Sequence, residues 1–515
     1  MIYDVIVVGA GVVGALTARE LARYDLKVLV LEGEADAAMG ATKANSAIVH
    51  GGFAEGPQTL KGRLCIAGRR AFAQLERELN FGFRVTGSLV VSFESDPARL
   101  RALHRQGLAN GLDDLELWSA EQVLEREPHL RSNLTGALWC AGAGVCSPWD
   151  LTYAALENAL ANGVELRLGE KIVAVEGPLA GPCWRLSSAG KTYETRFVVN
   201  AAGLGGGALD ALAGLTDSTL SPRTGEYLVF APGTGALVHS VIFQLPGPLG
   251  KGVLIGPTYQ NNLLIGPDAR NEDPTSGPEW RHTHQDRLSA LVAQAEKVVE
   301  GIDLKKAIRS FTGVRAGAGG GDFLVGAADA RRLPGWHRAV GIQSPGLTAS
   351  PALAKLLVAG MAAEGLSQSP KAHFDPARRP LSVHLSRRAE PLPFAVADVL
   401  TRLPFGDPER VVCRCEQVRE RDLAEALERG VPCTTVDGLK RRTRAGMGWC
   451  QGRFCRRRVA EWLTDRLGHA VSADDDVRRS GLHRVEGREL WSLLSSKTAE
   501  VQGGGAKQAS EHGNP

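Results

Sequence analysis

No sign of charge dominates this chain. Its 60 Lys and Arg nearly balance 57 Asp and Glu, leaving a formal charge of +3. A dedicated nucleic-acid binder carries a strongly basic face, so that class is argued against and no nucleic-acid partner is expected. The opening run Met1-Ile-Tyr-Asp-Val-Ile-Val-Val8 lacks the basic region and the cleavage site of a secretory signal. No uninterrupted apolar run is long enough to span a bilayer, so no transmembrane segment is expected. The expected location is the cytoplasm, with any membrane association made through a partner. Internal repeats are absent as well. Cysteine is sparse and odd in number, nine in 515 residues, which suits a reducing compartment better than a disulfide framework.

What the sequence does have is punctuated by glycine. The first 32 residues read as strand, Gly-rich turn, helix, strand, half of a mononucleotide-binding fold. Gly9, Gly11 and Gly14 follow an apolar strand and open an apolar helix. The first allows a tight turn, the second lets the backbone approach a pyrophosphate, and the third lets helix pack on strand. Free N–H groups at the helix start then meet the phosphate. Glu32 ends the next strand, placed to accept hydrogen bonds from ribose hydroxyls and to repel a 2′-phosphate. That favours FAD or NAD over NADP.

Three further segments favour FAD. Asn200-Ala-Ala202-Gly203 puts small residues where a strand must approach a flat ligand. Gly341 to Thr348 sets Gly341, Gly346, Leu347 and Thr348 before a helical run, a second helix start that suits the flavin end of the ligand. Thr42 to Phe53 contains Thr42, Ser46 and His50 shortly after the first fold unit.

These segments resemble the D-amino-acid-oxidase-type superfamily of FAD enzymes over nearly the whole chain. Asn45-Ser-Ala-Ile-Val-His50-Gly-Gly52, Lys61 to Cys65 and Arg223 to Tyr227 look like the L-2-hydroxyglutarate oxidoreductases within it. Ile308 to Arg315 is similar to the large subunit of anaerobic glycerol-3-phosphate dehydrogenases. The resemblance implies an α/β fold, with a Rossmann-like FAD-binding domain interrupted by an α+β substrate domain and followed by a small iron–sulfur domain. It also implies a cofactor contact at Val173. The expected boundaries are 1–80, 144–219 and 326–369 for the FAD domain and 81–143 and 220–325 for the substrate domain. Residues 370–410, rich in Pro, Arg and Asp, are expected to be a linker. A cluster domain at 411–465 and an extension at 466–515, ending in a disordered tail, complete the chain.

Cys413 and Cys415 form a C-x-C pair, and Cys450 and Cys455 a C-x4-C pair. Four thiolates hold one [2Fe–2S] cluster or one zinc. Zinc knuckles usually space their cysteines two apart, so the cluster is favoured. The surrounding Lys440 to Gly448 resembles the bacterioferritin-associated ferredoxin domain, which also closes the anaerobic glycerol-3-phosphate dehydrogenase subunit. Cys433, Cys65, Cys140, Cys146 and Cys183 are read as structural. The basic runs Lys440 to Arg444 and Arg456 to Arg458 are read as solvated faces, with docking of an acidic partner or a phosphate as the sharper alternative.

Oxidation of an alcohol or amine at a flavin needs an aimed C–H bond, a base for the heteroatom proton and a clamp for a substrate anion. Arg315 is the candidate clamp, since guanidinium offers parallel donors to carboxylate or phosphate. His50 is the candidate base or orienter. Lys61, Lys251 and Tyr259 are weaker candidates for the pocket. The expectation is an FAD-dependent dehydrogenase of a small anionic hydroxy substrate, glycerol 3-phosphate first. Electrons would leave through the cluster to a partner subunit or quinone, in a chain compatible with a hetero-oligomer. A 2-hydroxy acid such as L-2-hydroxyglutarate, an amino acid or opine, and a non-catalytic electron-transfer subunit are the alternatives. The glycerol-3-phosphate enzymes typically follow their histidine with an Arg-Tyr pair, which Gly51-Gly-Phe53-Ala-Glu55 lacks, and this departure counts against phosphate recognition.

Overall fold

The computed structural model describes residues 1–179, 183–245, 252–272, 282–329, 331–384 and 392–473. Lys251 and the tail from Gln502 to Pro515 lie outside them. Among the described residues two large sheets dominate. The first is built on strand β1 (Ile2–Val8), helix α1 (Val12–Leu21) and strand β2 (Val28–Glu32). β1 pairs parallel with β2 on one side and with Thr192–Asn200 on the other, and Trp336–Val340 extends the parallel set. Strands buried on both faces read as continuous apolar runs, as Val5 to Val8 and Val28 to Leu31 do.

Glycine at 14 is required by packing. A Cβ there would lie 1.9 Å from the Gly9 carbonyl oxygen, so α1 could not sit on its own entry turn. Gly9 itself has φ +107° and would drive a Cβ to 2.4 Å from the Ala201 oxygen. These contacts pull the end of β1, the start of α1 and the Asn200 to Gly203 turn into one corner. Helix α2 (Leu60–Leu79) and helix α3 (Pro148–Ala161) flank the sheet.

The second sheet is centred on two long antiparallel strands, β3 (Leu220–Pro232) and β4 (Ala307–Ala318). Their register sets Arg223 opposite Arg315 and Tyr227 opposite Phe311. Helix α4 (Gly346–Ala363) returns to the first sheet, where Gly68 of α2 permits close approach: a Cβ there would be 2.0 Å from the Thr348 oxygen. α4 is long and apolar enough by composition to cross a membrane. In this fold its buried residues belong to the core shared with α1 and α2.

Within the expected linker, the described residues 370–384 are held against the rest of the fold. Arg378 forms a buried ion pair with Glu157 of α3 at 2.6 Å, and Asn158 and Asn162 donate to the backbone oxygens of Asp375 and Ala377. Leu381 and Val383 enter the core of the C-terminal module. Helix α5 (Phe394–Leu400) follows. That module is a two-stranded ribbon with helices α6 (Val436–Thr443) and α7 (Arg456–Leu467) around its cysteines.

The basic run on α6 is not a solvated face. Arg441 and Arg442 are buried and both bind Asp36, with Nη2 of Arg441 2.8 Å from Oδ2 and Nη2 of Arg442 2.8 Å from Oδ1. Tyr153 of α3 donates to Asp36 Oδ2 at 2.9 Å, accepts from Arg441 Nε at 3.1 Å, and lies 4.0 Å beneath the Arg442 guanidinium. The physical reason is that a carboxylate from the far end of the chain supplies the counter-charge, and no local pattern reveals it.

Candidate active site and cluster site

A cavity of about 1500 Å³ lies between the two sheets. It is larger than the usual drug-sized pocket of roughly 300–1,000 Å³, so it has room for a dinucleotide together with a small substrate. At one end lie Gly9, Gly11, Glu32, Thr42, Ala202 and Gly203. A Cβ at Gly11 would meet only Thr42 Oγ1, at 3.3 Å, so that backbone is open to a ligand. Thr42 Oγ1 accepts from the Val12 N–H at 3.1 Å, tying its loop to the start of α1. Glu32 accepts from the Ala10 N–H at 2.7 Å and the Glu34 N–H at 2.9 Å. Burial pushes its carboxyl up and these backbone donors pull it back.

At the other end α4 points its N-terminus into the cavity through Gly346, Leu347 and Thr348. The Thr348 hydroxyl accepts from the His50 N–H at 2.8 Å and donates to the Ile48 oxygen, so it fixes the histidine segment to α4. Ser46 and His50 line the same region. The Gly52 N–H donates to His50 Nδ1 at 3.1 Å, which places the neutral ring's proton on Nε2.

From the second sheet come Arg223, Tyr227 and Arg315. Like charges directly opposite on paired strands repel, so setting Arg223 against Arg315 is unfavourable without an anion. Arg223 Nε is buried and has no hydrogen-bond partner among the described residues. Arg315 Nη2 donates to the Asp268 oxygen over a long 3.4 Å, and its guanidinium also lies within hydrogen-bonding reach of the Tyr227 phenol. Burial pushes the Tyr227 phenol up, while Arg315 and then Ser46 beside it pull it back. Phe311 stacks on Tyr227 at 4.6 Å.

Some sequence-derived candidates fall elsewhere. Val173 is 53% exposed, and its N–H is taken by Ser187; its neighbours Lys171 and Ile172 line the cavity instead. Gly14 and Gly341 act behind the wall, where a Cβ at Gly341 would meet Ala318 at 2.6 Å. Tyr259 packs over Gly82 and does not line the cavity, whereas Lys61 does, paired with Glu55 at 3.0 Å. Arg223 and Tyr227 were missed as site residues. Only the β3–β4 register brings them to Arg315, and register across that distance is not written locally.

The four cysteines converge. Cys413, Cys415, Cys450 and Cys455 surround a depression of about 40 Å³. Cys415 Sγ lies 3.3 Å from Cys450 Sγ, and the Gly446 N–H donates to Cys413 Sγ at 3.5 Å. No three His, Cys, Asp or Glu groups among the described residues form a single-ion site. Four soft thiol ligands are a donor set that fits a two-iron cluster. Cys433 is a buried thiol whose Sγ contacts the Thr435 oxygen, outside this set.

A cleft flanked by two helix starts and open glycine backbone, joined to a four-thiol module, defines a flavin and iron–sulfur protein. The FAD dependent oxidoreductase family profile matches residues 4–359, and the BFD-like [2Fe-2S] binding domain profile matches residues 411–465. The chain belongs to the FAD-dependent oxidoreductase family; its cofactors are FAD and a [2Fe–2S] cluster. It is 39% identical to a glycerol 3-phosphate dehydrogenase of Caloramator mitchellensis over 90% of this chain and 95% of that protein. A mitochondrial L-2-hydroxyglutarate dehydrogenase of Caenorhabditis elegans is 32% identical over 52% of this chain and 63% of that protein. The FAD-bound L-alpha-glycerophosphate oxidase structure from Mycoplasma pneumoniae superposes with a TM-score of 0.69 at 25% identity, covering 73% of this chain and 98% of that one. That match leaves about a quarter of this chain uncovered.

Replacing Cys450 with Ser is expected to leave flavin reduction by substrate intact and to slow delivery to an external acceptor. Stopped-flow absorbance of the flavin, beside acceptor reduction, checks both. Unchanged delivery would remove the relay role.

Proposed function

We propose that the chain is a glycerol 3-phosphate dehydrogenase that passes electrons through its cluster module to an acceptor. The observation that carries this reading is the Arg223–Arg315 pair, two arginines directly opposite across the β3–β4 ladder that both line the cavity, one with a buried N–H unpartnered among the described residues. A phosphate dianion fits that requirement: it offers three acceptor oxygens and neutralises both charges. It also replaces the Arg-Tyr recognition that the histidine segment lacks.

Bound FAD supplies the hydride acceptor. The protein's residues bind and orient. Arg223 and Arg315 hold the anionic end, and Tyr227 buttresses Arg315 from within the sheet. His50, with its proton on Nε2, first meets the substrate as a hydrogen-bond donor. Taking up the hydroxyl proton at Nε2 requires the ring proton to shift to Nδ1, at the expense of the Gly52 contact. Phe53 and Phe243, with ring centroids 5.0 and 5.5 Å from that of His50, keep the ring in apolar surroundings.

The same two arginines suit a dicarboxylate, and the likeness to L-2-hydroxyglutarate dehydrogenases supports a 2-hydroxy acid as second reading. A partner subunit or a quinone is the proposed acceptor, in a hetero-oligomer on the cytoplasmic side. Air-free holoenzyme mixed with glycerol 3-phosphate should lose its flavin absorbance within the mixing experiment. Bleaching by L-2-hydroxyglutarate alone would transfer the assignment. Bleaching by neither would leave a non-catalytic electron-transfer subunit.

A further inference from the structure

Among the described residues, six of the fourteen exposed large apolar side chains gather toward the C-terminal end. Phe394, Val396, Val399, Phe405, Trp449 and Phe454 all belong to the C-terminal module or the segment leading into it. Phe394 at 54%, Val399 at 62% and Trp449 at 60% are more exposed than a packed side chain tolerates. Phe394, Trp449 and Phe454 line the depression that the four cysteines also line. The apolar surface therefore surrounds the route from the cluster site to solvent.

Its surroundings are cationic. The Phe454 ring is held between two guanidiniums, Arg414 at 4.0 Å and Arg458 at 4.2 Å from its centroid. Arg458 Nη1 is buried without a partner among the described residues, and Arg410 and Arg414 crowd it with like charge. Farther out, Arg457 is 89% exposed and pairs with Glu461 on its own helix. Arg402 lies just beyond α5, with Asp398 of that helix as its partner. Asp398 is itself shared with Arg414.

We propose that this face docks an acidic one-electron acceptor protein. An aromatic centre with a charged rim, small in area and set over a redox site, is the anatomy of a short-lived electron-transfer contact. A second copy of the chain would bring the same cations against themselves. A lipid surface would satisfy the cations and carry quinone as an acceptor, so vesicle binding is the competing outcome of the test. The proposal rests on the reading that electrons leave through the cysteine module, but not on the identity of the substrate.

The test measures binding, so no turnover is needed. Holoenzyme is titrated with oxidised plant-type [2Fe–2S] ferredoxin, a small acidic probe, by calorimetry at low salt. A complex should form whose affinity falls about tenfold or more between ~20 and ~200 mM salt, as contacts between exposed charges do. The double variant R402E/R457E should weaken it at least about tenfold at low salt and flatten the salt dependence. V399S should weaken it without changing the salt slope. Glycerol 3-phosphate should bleach the flavin of both variants as in the parent; failure of that step in the parent would count against the function reading alone. Absence of a ferredoxin complex, or one indifferent to the charge reversal, would overturn the docking face. So would binding to phosphatidylglycerol vesicles, or self-association, that R402E/R457E abolishes while ferredoxin affinity is unchanged.

Discussion

Arg315→Ala is expected to lower kcat/KM for glycerol 3-phosphate by about a hundred- to a thousand-fold. Removing one member of a desolvated, hydrogen-bonded charge contact costs roughly 2–5 kcal/mol, and each 1.4 kcal/mol is a factor of ten. The structural cost should be modest, because Arg315 gives up a long contact to the Asp268 oxygen and its contact with the buried Tyr227 phenol while losing its repulsion by Arg223. Arg315→Lys should recover part of the rate, since a point charge replaces a planar fork. Added guanidine should restore part of the Ala variant's activity. The fall should appear in KM as well as kcat if the clamp holds the ground state too. An Arg315→Ala enzyme within threefold of the parent would move the anion site away from β4.

The second large effect is on stability. Asp36→Ala should cost about 3–5 kcal/mol, because it strands two buried guanidiniums, those of Arg441 and Arg442. Burial alone would raise the Asp36 carboxyl, but Arg442 and then Arg441 outweigh it and bring it down to about 2 from 3.8. A carboxyl depressed in the folded state contributes stability that is complete above its unfolded value. That stability is lost as pH falls from about 4 toward 2. Parent enzyme should therefore lose thermal stability steeply through that window, and Asp36→Asn should show a flatter acid limb. Scanning calorimetry and flavin release against pH check both. Equal acid limbs in parent and Asn variant would show that the ionised Asp36 does not hold the two modules together.

What could be read in the chain before its structure followed the distance over which each interaction acts. Gly9, Gly11, Gly14 and Glu32 announce themselves because turn, helix start and strand end lie within one short unit. The cysteine pairs are legible for the same reason, since ligand spacing within each pair is local. Arg315 was found through its glycine-rich neighbours. Its counterpart Arg223 was not, because strand register across a separation of 92 positions leaves no periodic trace. Asp36 and Arg442 are 406 residues apart, and each looks like an ordinary surface charge in its own segment. Burial, which decides between a solvated and a locked arginine, is a property of the assembled layers.

The Asp36 contact also bears on how the protein is made. Ribosomes release the amino-terminal half-site first, and the loop from Gly33 to Ser46 then waits for helix α4 and, later still, for Arg441 and Arg442. A nascent chain stalled before α6 carries the glycine fingerprint, yet holds Asp36 without its counter-charges. The Asp36 carboxylate therefore gains its two buried counter-charges only once the cysteine module has been synthesised, so a late-emerging helix locks a loop laid down near the start of the chain.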